Sequence, residues 1–372
     1  MKNAVTFIGL MSGTSMDSID TVAVTFSNKS LDLLGSYTHS IPAKVKADIL
    51  TLCAPGLDNV QLLAETDHRL GELFAEASLA LMTQLNLSSK DIVAIGSHGQ
   101  TIRHQPPGHK PGFSLQIGNP NQIAALTGCS VIADFRRKDM AYGGQGAPLV
   151  PAFHREIFPH PSKTRVIVNI GGISNITILE ASGGCYGFDT GPGNILLDVW
   201  CQKHTNKNYD HEGRWGATGK CSDALLSQLK THNFFARKGP KSTGREDFNL
   251  EWLEEQTRLF EIAPADIQAT LALYTAETIA QSIADLAQPT DEIFVCGGGI
   301  LNLELIRNLN ESLLNRMLPA IQSTGNIGLD PNWVEACAFA WLAKQRIDMQ
   351  PGNLPAVTGA SQQTVLGCIY LP

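Results

Sequence analysis

The chain has 372 residues, which is too long for one ordinary hydrophobic core. Its composition, 43% hydrophobic and 17% charged, is typical of a globular protein. Its formal net charge of −7 argues against general nucleic-acid binding, since that function needs a basic face. No apolar stretch approaches the roughly 18 residues that span a bilayer, so we expect no membrane segment. The eight cysteines form no Cys-x-x-Cys pair, and they indicate a reduced, cytoplasmic protein.

Two apolar runs with a small polar turn between them open the chain. The runs "AVTFIGLM" and "DTVAVTF" are short and strand-like, and "SGTSMDSI" separates them. A turn of Gly, Ser and Thr can point several N–H groups and hydroxyls at one anion, and Gly13 lets a phosphate come close. We therefore predict a hairpin with a phosphate-binding turn. Asp17, which follows Gly13, either lies near a metal ion or caps the turn.

A helix and two buried strands follow. Leu70, Phe74, Ala77 and Leu81 are spaced by four, three and four positions, which predicts a helix over residues 61–85. The runs "DIVAIGSHG" and "CSVIADF" predict strands that end in polar residues, where α/β proteins place ligand loops. Next comes "RRKDMAYGGQGAPLVP", whose Gly and Pro content favours a domain boundary.

The second half repeats the opening pattern. "RVIVNIGGISNITIL" predicts a hairpin around Gly171 and Gly172, and "GCYGFDTGPGNILLDVW" predicts a strand that ends at Asp189, a glycine loop and a helix. Residues 203–250 are polar and predict a surface excursion. A long helix in "ADIQATLALYTAETIAQSIADLA" precedes "DEIFVCGGGILNLELIRNL", which reads as strand, triple glycine and helix. That glycine turn either binds a ligand at the helix N-terminus or is only a tight turn.

The order of these signals resembles the actin, Hsp70 and sugar-kinase superfamily. Longer strings resemble the anhydro-N-acetylmuramic acid kinase family over residues 8–367; they are "GLMSGTSMDSID", "IGSHGQTIRH", "QIGNPNQIA", "ADFRRKDMAYGGQGAPLVP", "NIGGISNIT", "FDTGPGN", "DPNWVEACAFAWLA" and "PAVTGASQQTVLG". The resemblance implies an α/β fold with two actin-like (ribonuclease H-like) domains around an ATP-binding cleft. We expect residues 1–133 with 348–372 to form the first domain and residues 134–347 the second.

The same resemblance implies a reaction. The family opens the internal 1,6-anhydro ring of anhydro-N-acetylmuramic acid with water and phosphorylates O6, giving N-acetylmuramic acid 6-phosphate and ADP. The cofactors implied are ATP and Mg²⁺, and the setting is the recycling of cell-wall peptidoglycan. A cytoplasmic homodimer is also implied, with the sugar and ATP as its small-molecule partners and with neither a nucleic acid nor a membrane.

The general base is expected at an unusual place. The superfamily carries an Asp in each hairpin, but Met11 and Asn169 stand at those positions here, and neither side chain takes a proton from water. Asp189 in "FDTGPGN" matches the catalytic Asp of the family, so the resemblance implies that Asp189 activates the attacking water. From the residues alone, Asp189 as a cap of the following helix remains an alternative.

The resemblance also assigns two sets of binding residues. The ATP-binding set is Gly13, Thr14, Ser15, Met16, Asp17, Ser18, Ile19, Asp20, Gly171, Gly172, Gly297, Gly298, Gly299 and Asn302. The sugar-binding set is His98, Gln100, Thr101, Arg136 and Glu335.

Two assignments in the sugar-binding set leave alternatives open. Either Arg136 or Arg137 pairs with the lactyl carboxylate through two parallel hydrogen bonds, or both are solvated surface arginines. Glu335 lies either near the substrate or on the exposed side of an amphipathic helix. Ser18 and Tyr142 depart from the family pattern, which has Gly and a small residue there, and neither departure removes a proposed catalytic group.

Three other functions are compatible with the same fold. An ordinary sugar kinase would use a free hydroxyl, and Met11 and Asn169 argue against it. A non-catalytic, actin-like ATP switch would not depend on one small sugar for nucleotide turnover. A phosphatase would release phosphate without a sugar acceptor.

Overall fold

The chain forms two α/β units in the computed structural model, Met1–Ile157 with Trp333–Pro372 and Phe158–Asn332. The structure describes residues 5–13, 16–27, 30–54, 56, 59–108, 111–237 and 241–372. Thr14 and Ser15 of the predicted phosphate-binding turn lie outside the described residues.

The first unit combines one large sheet, a small two-stranded sheet and seven α-helices among its described residues. Its strands are β1 (Thr6–Met11), β2 (Ser18–Ser27), β3 (Ser30–Ser40), β4 (Ile92–Ser97), β5 (Gln100–Gln105), β6 (Phe113–Ile117), β7 (Val131–Ala133) and β13 (Cys368–Tyr370). Its α-helices are α1 (Ala43–Cys53), α2 (Val60–Gln84), α3 (Pro120–Thr127), α4 (Arg137–Ala141), α5 (Val150–Ile157), α11 (Val334–Ile347) and the single-turn α12 (Pro355–Thr358).

The large sheet of the first unit has the strand order β13-β7-β4-β1-β2-β3. Strands β1, β2 and β3 form an antiparallel meander, and β4 and β7 continue the sheet in parallel with β1. The predicted opening hairpin and the helix over 61–85 are confirmed, and Leu70, Phe74, Ala77 and Leu81 are all buried.

Two glycines let helix α11 lie directly on this sheet. A Cβ on Gly9 of β1 would lie 1.9 Å from the carbonyl oxygen of Ala336, and a Cβ on Gly96 of β4 would lie 2.1 Å from that of Phe339. Because no side chain fits between helix and strands, the start of α11, which carries Glu335, is fixed against β1 and β4.

The second unit is built on one five-stranded sheet. Its strands are β8 (Arg165–Ile170), β9 (Ile173–Leu179), β10 (Cys185–Pro192), β11 (Glu292–Cys296) and β12 (Ile321–Ser323). Its α-helices are α6 (Ile195–Thr205), α7 (Asp223–Leu229), α8 (Leu250–Thr257), α9 (Pro264–Ala284) and α10 (Leu303–Leu314).

Both units share one topology. The second sheet has the order β10-β9-β8-β11-β12, with an antiparallel meander of β8, β9 and β10 and two further strands parallel to β8. In each of these sheets the three meander strands stand in the order third, second, first. Two parallel strands follow beside the first one: β4 and β7 in the first unit, and β11 and β12 in the second. This duplicated α/β arrangement confirms the predicted fold class of two actin-like domains.

The unit boundaries differ from the predicted ones. Residues 134–157 and 333–347 belong to the first unit, whereas the sequence places them in the second. The reason is packing: α5 contacts α11, and α11 covers β1 and β4 of the first sheet. The Gly- and Pro-rich loop after β7 is thus an internal loop of the first unit.

The polar stretch 203–250 is more than a surface excursion. Leu225, Leu229, Phe234 and Phe248 are fully buried in the core of the second unit, where they pack with α9 residues. The prediction failed because four apolar side chains in a polar stretch give no regular period. No helix of the described residues is long and apolar enough to cross a bilayer.

Candidate active site

The turn of the first hairpin leaves room for a ligand at Gly13. A Cβ on Gly13 would meet none of the described atoms within 4 Å, so the described part of the chain gives no packing reason for this glycine. Met16 closes the turn with its N–H on the Gly13 carbonyl (3.3 Å), and its side chain is buried. Ser18 and Ile19 belong to β2, where Ile19 is buried and Ser18 pairs with β3.

The two aspartates after this turn have different surroundings. Asp17 forms an ion pair with Lys46, and its carbonyl accepts from the Ile41 N–H (2.9 Å), so it holds α1 and the preceding strand in place. Asp20 on β2 accepts a hydrogen bond from Thr38 Oγ1 (3.1 Å). Burial raises the pKa of Asp20 and the Thr38 bond opposes that rise.

The predicted phosphate turn and the predicted sugar loop are hydrogen-bonded to each other. Ser12 Oγ donates to Gln100 Oε1 (2.7 Å), and both side chains are buried. The His98 N–H donates to the Leu10 carbonyl (3.1 Å). The end of β1 therefore fixes the loop that follows β4.

His98 and Arg136 form a buried pair within this loop region. Arg136 Nη2 and Nε lie 2.8 and 3.3 Å from His98 Nε2, and Arg136 Nη1 donates to the Gly146 carbonyl (2.8 Å). Burial, followed by repulsion from Arg136, lowers the pKa of His98 well below its ordinary value, so the ring is neutral. A neutral ring that accepts at Nε2 carries its proton on Nδ1.

Arg136 and Arg137 are therefore not equivalent. Burial lowers the pKa of Arg136 to about 10, and the carboxylates of Glu335 and Asp139 oppose that shift. Arg137 is exposed and forms an ion pair with Asp134 (2.6 Å). Arg136 contacts His98 directly and is within electrostatic reach of Glu335, whereas Arg137 lines the same cavity as His98.

Thr101 belongs to the small sheet next to this group. Its Oγ1 accepts from Gln116 Nε2 (3.0 Å), which also donates to Ser114 Oγ (2.7 Å). Gln116 and His98 border a cavity of about 120 Å³ at the carboxyl ends of β4 and β7. In α/β sheets this edge is where ligands bind.

Asp139 is a residue of this region that the sequence analysis missed. Its fully buried carboxylate accepts from the Gly146 N–H (2.8 Å), Asn353 Nδ2 (2.7 Å) and Thr358 Oγ1 (2.7 Å). The only local signal is an acidic residue shortly before several glycines in "KDMAYGGQG". Its partners Asn353 and Thr358 are more than 200 positions away, so no local pattern reveals them.

Asp189 lies inside β10 of the second unit and not at its end. The strand runs to Pro192 and α6 begins at Ile195 after Asn194, so Asp189 does not cap that helix. Asp189 is paired in register with Asn175, which is paired with Asn169, so three polar residues lie in a row across β10, β9 and β8.

A segment from the supposed surface excursion encloses the Asp189 carboxylate. The Asp189 N–H donates to the Lys241 carbonyl (3.0 Å), and Asp189 Oδ2 accepts from the Thr243 N–H (2.9 Å). Burial raises the pKa of Asp189 to about 7; the Thr243 bond opposes that rise, Glu246 adds to it and Lys241 opposes it. A carboxyl with a pKa near neutrality can accept a proton from water and release it again.

The second glycine turn is tied to the start of α6. The carbonyls of Gly171 and Gly172 accept from the N–H groups of Gly193, Asn194 and Ile195 at 2.8–3.1 Å. A Cβ on Gly193 would lie 2.3 Å from the Gly171 carbonyl oxygen, so Gly193 is required for this close approach.

The triple glycine forms the tight turn that is one of its two predicted explanations. Gly297 has φ +84°, and a Cβ there would lie 2.4 Å from Asn169 Oδ1, while a Cβ on Gly299 would lie 2.2 Å from Ile170 Cγ2. These two glycines serve the tight turn. A Cβ on Gly298 would meet none of the described atoms within 4 Å, so this position is left open for a ligand.

Asn302, the predicted adenosine contact, caps helix α10. Its Oδ1 accepts from the Leu305 N–H (3.0 Å), so the group it can offer a ligand is the Nδ2 amide. Tyr142, one of the two departures from the family pattern, is exposed. Within the described ranges, no group of three or more His, Cys, Asp or Glu side chains is arranged to hold a metal ion.

The chain is similar to several known proteins. A family model described as "Anhydro-N-acetylmuramic acid kinase" matches residues 5–372. The chain is 49% identical over 365 residues to the anhydro-N-acetylmuramic acid kinase of Aliivibrio fischeri, and 50% identical over 368 residues to that of Shewanella woodyi; each alignment covers 98% of both chains. A ROK family glucokinase from Streptomyces griseus is similar over 91% of this chain and 99% of its own, with a TM-score of 0.39 and 11% identity.

Proposed function

We infer the function from one premise: this chain belongs to the anhydro-N-acetylmuramic acid kinase family. We propose that it is an ATP-dependent kinase that opens the 1,6-anhydro ring of anhydro-N-acetylmuramic acid with water and phosphorylates O6. The products are N-acetylmuramic acid 6-phosphate and ADP, which belong to the recycling of peptidoglycan.

The observation that carries the chemical part of this proposal is the environment of Asp189. Its carboxyl is buried, accepts one main-chain hydrogen bond from Thr243 and has its pKa raised to about 7. Met11 and Asn169, which stand where the superfamily has Asp, cannot act as bases. Asp189 thus supplies the general base that the reaction needs at neutral pH.

The proposed reaction couples ring opening by water to phosphoryl transfer. Asp189 takes one proton from a water molecule whose oxygen attacks the anomeric carbon of the sugar. The bond between that carbon and the bridging oxygen breaks, and the oxygen, still attached to C6, attacks the γ-phosphate of ATP. ADP leaves, and the proton on Asp189 passes to solvent. One water and one ATP are consumed for each phosphorylated sugar.

The nucleotide is assigned to the glycine turns. Gly13 and Gly298 are the positions where packing leaves room, so they suit close approach of a ligand to the main chain. Mg²⁺ supplies charge neutralisation on the phosphates, which usually furnish most of its ligands together with water and one or two carboxylates. Asp20, whose carboxylate accepts from a neutral hydroxyl, suits that role better than Asp17, which is paired with Lys46.

The sugar is assigned to the loop after β4 and its neighbours. His98 offers an Nδ1–H donor, and Gln100, Thr101, Arg136 and Glu335 supply further polar groups in the same unit. We also propose, on the family resemblance, that the protein is a cytoplasmic homodimer. Light scattering of the purified protein at micromolar concentration measures the oligomeric state, and a monomer would contradict this proposal.

The experiment that tests the proposed function measures ADP formation with and without the anhydro sugar. We expect ADP only when the sugar is present, and a product heavier than the substrate by one phosphoryl group (HPO₃) and one water. Asp189→Asn should lower kcat by roughly 10²-fold or more, because general base catalysis contributes that much. Asp223→Asn, at an exposed aspartate on α7, is the matched control and should keep full activity.

The alternatives predict different results in the same assay. A phosphatase or an ATP switch would form ADP without the sugar. An ordinary sugar kinase would give a product heavier by one phosphoryl group (HPO₃) only. Full activity of the Asp189→Asn variant would show that another group is the base.

A further inference from the structure

A continuous series of hydrogen bonds runs from the last segment of the chain to His98. Thr358 Oγ1 and Asn353 Nδ2 donate to Asp139 Oδ1, each at 2.7 Å. Asp139 Oδ2 accepts from the Gly146 N–H at 2.8 Å, and the Gly146 carbonyl accepts from Arg136 Nη1 at 2.8 Å. Arg136 in turn donates to His98 Nε2. All members of the series lie in the first unit.

The series is tightly packed at its centre. Asp139 and Thr358 have no exposed surface, and a Cβ on Gly144 would lie 2.2 Å from Asp139 Oδ2. Gly146 has φ +70°, the left-handed region that glycine adopts without strain. The loop around Gly146 therefore has little freedom to move while Asp139 keeps its three bonds.

The position of Gly146 decides the direction of the Arg136 guanidinium. Its two anchors are the Gly146 carbonyl on one side and the His98 ring on the other. Because an arginine N–H can only donate, His98 must accept at Nε2 as long as Arg136 stays in place. The His98 proton is then on Nδ1, and the ring presents a donor there.

We propose that Asp139 is a positioning residue for the sugar site: through Gly146 it orients Arg136, and through Arg136 it keeps His98 in the Nδ1–H tautomer. The part concerning the sugar rests on the proposed function. The part concerning the tautomer does not depend on any substrate. The binding of ATP should not depend on Asp139, because none of these hydrogen bonds involves the nucleotide.

Three variants test this proposal. Asp139→Asn replaces one acceptor oxygen by an NH₂ group, which cannot accept, so the remaining oxygen can serve either the Gly146 N–H or the two side-chain donors but not both. Thr358→Val removes one donor at nearly constant volume, and Thr358→Ser keeps the hydroxyl as the matched control. Unfolding by urea is measured first, and if Asp139→Asn does not fold, the Thr358 pair carries the test.

The variants should change KM for the anhydro sugar but not KM for ATP. Asp139→Asn should raise KM for the anhydro sugar by about tenfold, in line with the loss of hydrogen bonds to a charged group, and Thr358→Val by about threefold. KM for ATP should change by less than about twofold in every variant, and Thr358→Ser should match the wild type. Equal increases in both constants, or an unchanged sugar KM in a folded Asp139→Asn variant, would overturn the substrate part.

The tautomer is read separately by NMR of ¹⁵N-labelled histidine, with the His98 signals assigned by their loss in His98→Gln. The wild type should show a neutral ring protonated at Nδ1, and Asp139→Asn should show a growing share of the Nε2–H form. An unchanged tautomer in the folded variant would overturn the proposal even if the protein phosphorylates its sugar. A changed tautomer would support it even if the proposed reaction proved wrong.

Discussion

Replacing Asp189 by Asn should change stability in a way that depends on pH. The Asp189 carboxyl is 8% exposed, and its burial raises its pKa from 3.8 to about 7. Keeping this carboxylate ionised in the folded protein therefore costs about 4 kcal/mol, at roughly 1.36 kcal/mol for each pKa unit.

The pH window follows from the two pKa values. The folded protein holds the proton up to a pH of about 7, whereas the unfolded chain releases it above 3.8. The unfolding free energy therefore falls as the pH rises between these values and is constant above the upper one. An Asn at this position has no such dependence. Taking Asn as a mimic of the protonated carboxyl, we expect the variant to be more stable than the wild type by about 4 kcal/mol at pH 8 and by about 1–2 kcal/mol at pH 5.

Scanning calorimetry of both proteins at pH 5 and pH 8 measures this difference. For a unit of this size, each kcal/mol shifts Tm by roughly 2–4 °C. The Tm difference between Asp189→Asn and the wild type should therefore be larger at pH 8 than at pH 5 by about 5–10 °C. Asp223→Asn, at an exposed position, should show no such dependence. An equal Tm difference between wild type and Asp189→Asn at the two pH values would refute the claim that burial raises this pKa.

Four further substitutions have defined outcomes. Glu246→Gln removes a carboxylate that raises the pKa of Asp189, so the acid limb of the kcat/KM profile for the sugar should move to lower pH; an unmoved limb would show that Glu246 has no influence. Gly96→Ala should lower the unfolding free energy by about 1–3 kcal/mol or more, since its Cβ meets the α11 main chain, and unchanged urea denaturation would contradict that packing. Gly299→Ala should destabilise the second unit in urea denaturation, because its Cβ meets Ile170. Gly298→Ala should fold normally and raise KM for ATP. Equal effects of the two substitutions on stability would refute the distinction between these glycines.

Local sequence patterns were sufficient to predict the hairpins and the long helices. The hairpins around Gly13 and around Gly171 form as expected, because alternating apolar residues and a small turn specify them locally. The helix Pro264–Ala284 follows in the same way from its four-three spacing.

The unit boundaries and the surroundings of the candidate base depend on contacts that no local pattern encodes. Thr243 is 54 positions from Asp189, and Asp139 is 219 positions from Thr358. The return of α11 to the first sheet depends on Gly9 meeting Ala336, which only the folded chain reveals. The roles of the individual site residues came from the family resemblance, and the structure adds which of them touch one another.

The most direct test of the account is a single turnover in ¹⁸O-labelled water. Wild-type protein, ATP, Mg²⁺ and anhydro-N-acetylmuramic acid are mixed, the reaction is stopped early, and the product is fragmented in a mass spectrometer. The account predicts one ¹⁸O atom on C1 and none in the phosphate on O6, because water opens the ring and the bridging oxygen takes the phosphoryl group. A phosphorylated product without label on C1, or with label in its phosphate, would contradict the coupling of ring opening to phosphoryl transfer.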